Sequence, residues 1–169
     1  MHKAVRSSVL FSWLVLFSAA STGAQQRGAP PDRPVSFDAE VSACLDSAIG
    51  PLVAQARASF PDFQRRVAAG LPPGQLPAVT VRLNDVSGHW EQVFVVVDSI
   101  RRDSVFGRIN SDIALVRGYR RGQRLNVSTT EILDWTISRP DGTEEGNLLG
   151  KFMDDLQDRL RRAPQRKPC

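Results

Sequence analysis

The sequence predicts an α+β domain: N-terminal helices packed on an antiparallel sheet of four to six strands, plus a C-terminal amphipathic helix. Three observations carry that expectation. Apolar residues recur at helical spacing from Val41 towards Gly70, and again from Leu148 to Leu160. Between these segments the period drops to two, as half-buried strands require. The strand-like runs then follow one another through short connections, which favours an antiparallel meander over the long crossovers of parallel pairs.

The first segment reads as an address. His2, Lys3 and Arg6 give a positive start, Val9 to Ala20 is an apolar run, and Ser21-Thr22-Gly23-Ala24 is a stretch of small residues. This is the pattern of a secretory signal peptide over 1–24, cleaved after Ala24. The apolar run of 12 residues is shorter than the roughly 20 of a spanning helix. An uncleaved anchor and a cytosolic N-terminal helix are the alternatives. The expected location is periplasmic or secreted, with no transmembrane span after cleavage. A flexible leader follows over 25–35, where Pro, Gly and polar residues offer too little apolar surface to offset ordering entropy. A single domain is expected over 36–162 and a polar tail over 163–169.

Within the domain, Ser36 or Asp38 can cap a first helix whose apolar face is Val41, Leu45, Ala48 and Ile49. Gly50-Pro51 interrupts it, because proline cannot donate an N–H. A second helix runs from Pro51 to about Ser59, with Leu52, Val53, Ala56 and Phe60 inward, and Pro61 opens a third that ends at Gly70. Leu71-Pro72-Pro73-Gly74 is a loop. Strands are expected over 78–83, 93–97, 104–109, 123–128 and 132–138. Ile113, Leu115 and Val116 form a turn of helix or an apolar loop. Pro140-Asp141-Gly142 is a turn. The last helix has Leu148, Leu149, Phe152, Met153, Leu156 and Leu160 on one face, Asn147 as its cap, and Asp154, Asp155 and Asp158 among basic residues on a solvated face.

Composition narrows the function classes. A hydrophobic share of 41% excludes a wholly disordered chain, and 2 cysteines exclude a disulfide-dense miniprotein or an all-cysteine zinc site. Removal of Lys3 and Arg6 with the signal lowers the formal charge from +4 to +2. A charge this small implies no nucleic-acid partner. Export makes a Cys44–Cys169 disulfide chemically possible; a buried Cys44 with a free terminal thiol and an intermolecular bond are the alternatives.

Candidate chemistry is sparse. After cleavage His89 is the one histidine, in Ser87-Gly88-His89-Trp90 at an expected hairpin end. Ser87 and Asp85 are near it in sequence, but adjacent strand residues alternate faces, so adjacency does not build a triad. No metal-ligand spacing occurs, and no metal or other cofactor is expected. Asp134 and Trp135 should point to opposite faces of a strand. The structural reading makes Trp135 a core anchor and Asp134 an acceptor that fixes the preceding Thr129-Thr130-Glu131 bend; the functional reading lines a ligand groove with both. Arg117, Arg120, Arg121 and Arg124 are densely placed, and guanidinium forks suit carboxylates and phosphates. They either protect a sheet edge or meet an anionic partner.

From about Pro51 to Asn147 the chain carries an ordered series of short signatures: Ala54 to Phe63, Glu91 to Val95, Phe106-Gly107, Ile109-Asn110, Gly122, Ile132-Leu133-Asp134-Trp135 and Gly146-Asn147. In their order and spacing they resemble the YegJ-like family of small exported bacterial domains of unknown function. Where that family commonly has His and Trp this chain has Gln92 and Phe94, so no role for that histidine carries over. The resemblance implies a fold and export rather than a reaction. The leading expectation is an exported non-enzymatic binding or interaction module, its partner an envelope protein or an anionic surface. The competing expectations are a small envelope hydrolase using Asp134, Glu91 or His89, and a structural envelope protein docking on anionic surfaces through the Arg-rich loop.

Overall fold

The computed structural model describes the backbone of residues 39–163 and the side chains from Cys44 to Ala163. The expected signal peptide, leader, first helix cap and polar tail, including Cys169, lie outside the described residues except for Ala163. The architecture is α+β. A long helix α1 (Ala39–Ala69) precedes strands β1 (Leu76–Asn84), β2 (Trp90–Arg101), β3 (Ser104–Ile109) and β4 (Arg124–Ser128). A 3-10 turn (Thr129–Glu131) then leads to β5 (Ile132–Ser138), β6 (Glu144–Gly146) and a C-terminal helix α2 (Leu148–Arg162). No described helix is long and apolar enough to cross a membrane.

The expected breaks at Pro51 and Pro61 do not occur: α1 is continuous for 31 residues, about 46 Å of helix. Each proline removes one i→i−4 bond. The apolar face nevertheless runs through them, with Ala56, Phe60 and Phe63 buried and Val67 packed against the same core. Burial of that face outweighs the lost bonds, and both proline rings face solvent.

All sheet pairings are antiparallel, in the order β4-β3-β2-β1-β5-β6. The first four strands form the expected meander, but β5 returns to pair with β1 on its far side. Between Ser128 and Ile132 the chain can reach about 14 Å. In a flat sheet β4 and β5 would be about 19 Å apart laterally, across four strand spacings. The sheet is therefore strongly curled. Two register irregularities assist, one in β2 between Val97 and Ser99 and one opposite Thr80 and Val81. At the first, Gly107 is needed because a Cβ there would meet the Val96 carbonyl and the Val95 side chain.

The inner face carries the main core: Val79, Val81, Val93, Val95, Val105 and Ile137 are all nearly inaccessible and pack with Phe63 of α1. Trp135 stacks 5.2 Å from Phe63 and donates its indole N–H to Ser59 Oγ at 2.9 Å. Two further ties clamp α1 to the sheet. Arg57 donates to the carbonyls of Ile132 and Thr130, and Arg66 makes a bidentate pair with Glu145 of β6.

Candidate functional site

The irregularity opposite Thr80 and Val81 decides what Asp134 does. Thr80 pairs with Asp134 while Val81 pairs with Ile132, so Leu133 is an extra residue. Without it, Ile132 and Asp134 would share a face. With it, Ile132 joins Trp135 in the main core and Asp134 turns to the opposite side. There its carboxylate accepts the N–H of Leu149, at 2.7 Å, and its own following N–H from Trp135, at 2.8 Å. Leu149 is in the first turn of α2, so Asp134 caps that helix from the sheet. This corrects two expectations. The bend at Thr129–Glu131 is held instead by a capping box between Ser128 and Glu131. Asn147 occupies the N-cap position of α2 as expected, but it is left-handed (φ 51) and makes no side-chain cap bond. Asp134 and Trp135 do face opposite ways as expected, but both are buried, so no groove is lined by them. Burial raises the Asp134 pKa; the backbone N–H groups of Leu149, Trp135 and Leu148 and the charge of Lys151 oppose that rise.

Glu91 and Asp85 are also structural acceptors, and both grip the same loop. The Glu91 carboxylate receives the backbone N–H groups of Ala114, Leu115 and Val116 at 3.0–3.3 Å. Asp85, its side chain only 2% exposed, receives those of Ser87, His89 and Arg117, and lies 3.1 Å from His89 Nδ1. Desolvation pushes its pKa up, but the Arg117 N–H, the His89 ring and the His89 and Ser87 N–H groups outweigh that and hold it at about 2. Carboxylates so placed satisfy the donors of a loop that has no partner strand.

These positions do not assemble into a hydrolytic set. Asp134 pairs with Thr80 and Glu91 with Leu83, three residues along β1, which places the two carboxylates on opposite faces of the sheet. Ser87 meets Asp85 through its backbone N–H. Among the described residues no group of three His, Cys, Asp or Glu side chains is placed to hold a metal ion.

What Asp85 and Glu91 build is a surface. They tie the β1–β2 hairpin tip to the loop between β3 and β4, and of the two readings for Ile113, Leu115 and Val116, a turn of helix or an apolar loop, it is the loop that forms. Val116 turns into the core while Leu115 is 44% exposed. Val86, at the tip, is fully exposed. These are the large exposed hydrophobic side chains of the described residues, and both sit on the two joined loops. Arg117, Arg120, Arg121 and Arg124 continue from the same loop, all exposed. Arg121 pairs with Asp112 at 3.3 Å, whereas the other three guanidiniums make no ion pair among the described residues. Arg124 stands directly opposite Arg108 across β3 and β4, and Arg108 in turn leans on Asp98 at 3.7 Å.

Comparison of the chain with protein-family models, with curated proteins and with solved structures finds no match. The site therefore rests on its own geometry. The arginines were visible in the sequence, as were Glu91, His89 and Asp85 by type. The apolar members were not. Leu115 read as part of an apolar run with Ile113 and Val116, and Val86 adjoins the expected hairpin end at Ser87; only the exposure of each side chain separates them from core.

Proposed function

We propose that the protein is an exported, non-enzymatic binding module that takes an anionic partner on the face formed by Arg117, Arg120 and Arg124. The observation that carries this reading is a contrast in how charge is used. Asp85, Glu91 and Asp134 spend their oxygens on backbone N–H groups, while three guanidiniums close to one another in sequence stand exposed with no ion pair among the described residues. The formal charge of +2 expected after export leaves the molecule as a whole only weakly basic, so the positive field is local to this loop. The resemblance to YegJ-like domains and the signal-like segment over 1–24 support export within the same reading.

The test uses the chain recovered after export, its N-terminus read by mass spectrometry. Retention on immobilised polyglutamate is compared between the wild type and an Arg120→Glu, Arg121→Glu variant. Retention that falls with salt and is lost in the variant is expected. A wild type that is not retained overturns the reading, as does substrate turnover that disappears when Asp134 or His89 is substituted.

A further inference from the structure

We infer that this face docks on the surface of an anionic phospholipid bilayer, with Val86 and Leu115 entering the interfacial layer and Arg117, Arg120 and Arg124 meeting lipid phosphates. The inference rests on the proposed anionic-partner reading and names the partner.

The choice of a bilayer follows from what the face offers. A stable protein interface buries about 1,200–2,000 Å² and seats its anchors in pockets. Here the apolar groups are two separate side chains on projecting loops. Val86 is fully exposed at the hairpin tip, and Leu115 stands on the neighbouring loop. A groove of about 360 Å³ between α1, the β2–β3 turn and the 3-10 turn is lined by other residues, among them Arg57, Phe60 and Arg102. Projecting apolar side chains, with Arg117 held beside the hairpin tip by Asp85 and further exposed arginines following in the same loop, suit a soft partner that needs no matching shape. A bilayer interface accepts apolar side chains at the acyl boundary and attracts cations to its phosphates.

The magnitudes are sufficient. Burying a Val or Leu side chain favours the bound state by at least about tenfold. Each arginine near an anionic leaflet adds about fivefold. Two such side chains and three guanidiniums together give reversible, salt-sensitive binding rather than permanent anchoring. Preorganisation adds to this. Glu91 holds the N–H groups of Ala114, Leu115 and Val116, and Asp85 holds that of Arg117, so the two tips are presented together and little ordering cost remains on docking.

The experiment is co-flotation of the exported chain with vesicles. One set is phosphatidylcholine alone; the other includes about one-third phosphatidylglycerol to give a negative surface. Salt is varied from about 0.1 M to about 1 M, which shortens the screening length from about 10 Å to about 3 Å. Two variants accompany the wild type. Val86→Ser, Leu115→Ser removes the apolar tips. Arg124→Glu reverses one charge and replaces a like-charge cross-strand pair by an attractive one, so its thermal stability should not fall.

Binding only to the anionic vesicles is expected, weakened at least tenfold at high salt. The double serine variant should lose at least tenfold while keeping polyglutamate retention. Arg124→Glu should lose at least fivefold. A wild type that is retained on polyglutamate but ignores anionic vesicles overturns the bilayer inference and leaves the anionic-partner reading standing, with an acidic protein as the partner. Failure on both probes overturns both. Unchanged vesicle binding by the double serine variant also overturns the inference, since it would reduce the face to charge alone.

Discussion

Asp134 holds the first turn of α2 from inside the sheet, a task usually given to the residue just before a helix. The geometry explains the substitution of roles. Asn147 is left-handed and donates from its amide to Glu144, so its side chain, although it lies against Gly150 in the first turn of α2, makes no cap bond there. Replacing Asp134 by Ala strips the Leu149 N–H of its acceptor in a buried site, and a loss of about 2–3 kcal/mol in urea unfolding is expected. Asp134→Asn keeps an acceptor and should lose less. The pH behaviour of Asp134 and Asp85 has opposite signs. Asp85 is held at about 2, so its contribution is full above the ordinary carboxylate range and is lost as pH falls from about 4 towards about 2. Asp134 is raised, so the folded state retains its proton longer than the unfolded chain. Its ionisation erodes stability as pH rises from the ordinary range through the raised value. Urea midpoints measured against pH should show Asp85→Asn flattening the acid limb and Asp134→Asn flattening the descent above it. A single common effect of both variants would contradict these assignments.

Among the elements, α1 departs furthest from the sequence reading. Two prolines read locally as helix starts, which is what each would favour in isolation. Neither starts a helix here because Ala56, Phe60 and Phe63 lie on one uninterrupted face over a curled sheet. The retained cost can be measured. Pro61 is exposed, and Pro61→Ala restores a donor to the helix interior, so a gain of about 1–2 kcal/mol in thermal or urea unfolding is expected, less than the full helix-propensity difference because proline also restricts the unfolded chain. The strands were far more legible. Residues 104–109 and 132–138 coincide with β3 and β5, because alternation and β-branching report a pleated half-buried surface directly. β6 was missed: Glu144-Glu145-Gly146 has no apolar alternation, and it is a strand only because β5 offers it an edge and Arg66 and Arg139 bind Glu145. The last helix reads correctly, and its acidic residues lie on the expected solvated face, where Arg159 pairs with Asp155 and Arg161 with Asp158.

For the molecule as a whole, α1 closes the curled sheet, α2 packs on both β5 and α1, and the β1–β2 tip and the β3–β4 loop are tied together through Asp85 and Glu91. The face proposed for docking is thus separate from the core, and variants of Val86, Leu115 or Arg124 are expected to alter vesicle binding without lowering stability. The Cys44–Cys169 bridge expected on export would add a link between α1 and the end of the chain. Mass spectrometry of the unreduced exported chain should show the loss of two hydrogens in a monomer, and reduction should lower stability by about 4–5 kcal/mol for a loop of that length. A monomer with two free thiols, or a disulfide-linked dimer, would exclude the intramolecular bridge.

The chain's own pattern determined the class of fold, the strand positions and the residue types available for binding, because hydrophobic period and turn chemistry are local properties. It determined that Arg117, Arg120, Arg121 and Arg124 would be close together, because they are close in sequence. Tertiary structure alone decided the partners of the carboxylates. Asp134 meets Leu149 only through the bulge at Leu133, and Glu91 meets Leu115 only because the β3–β4 loop folds back onto the hairpin. It alone decided which apolar side chains remain outside, since burial depends on what a distant segment covers, and no local pattern distinguishes Leu115 from Val116.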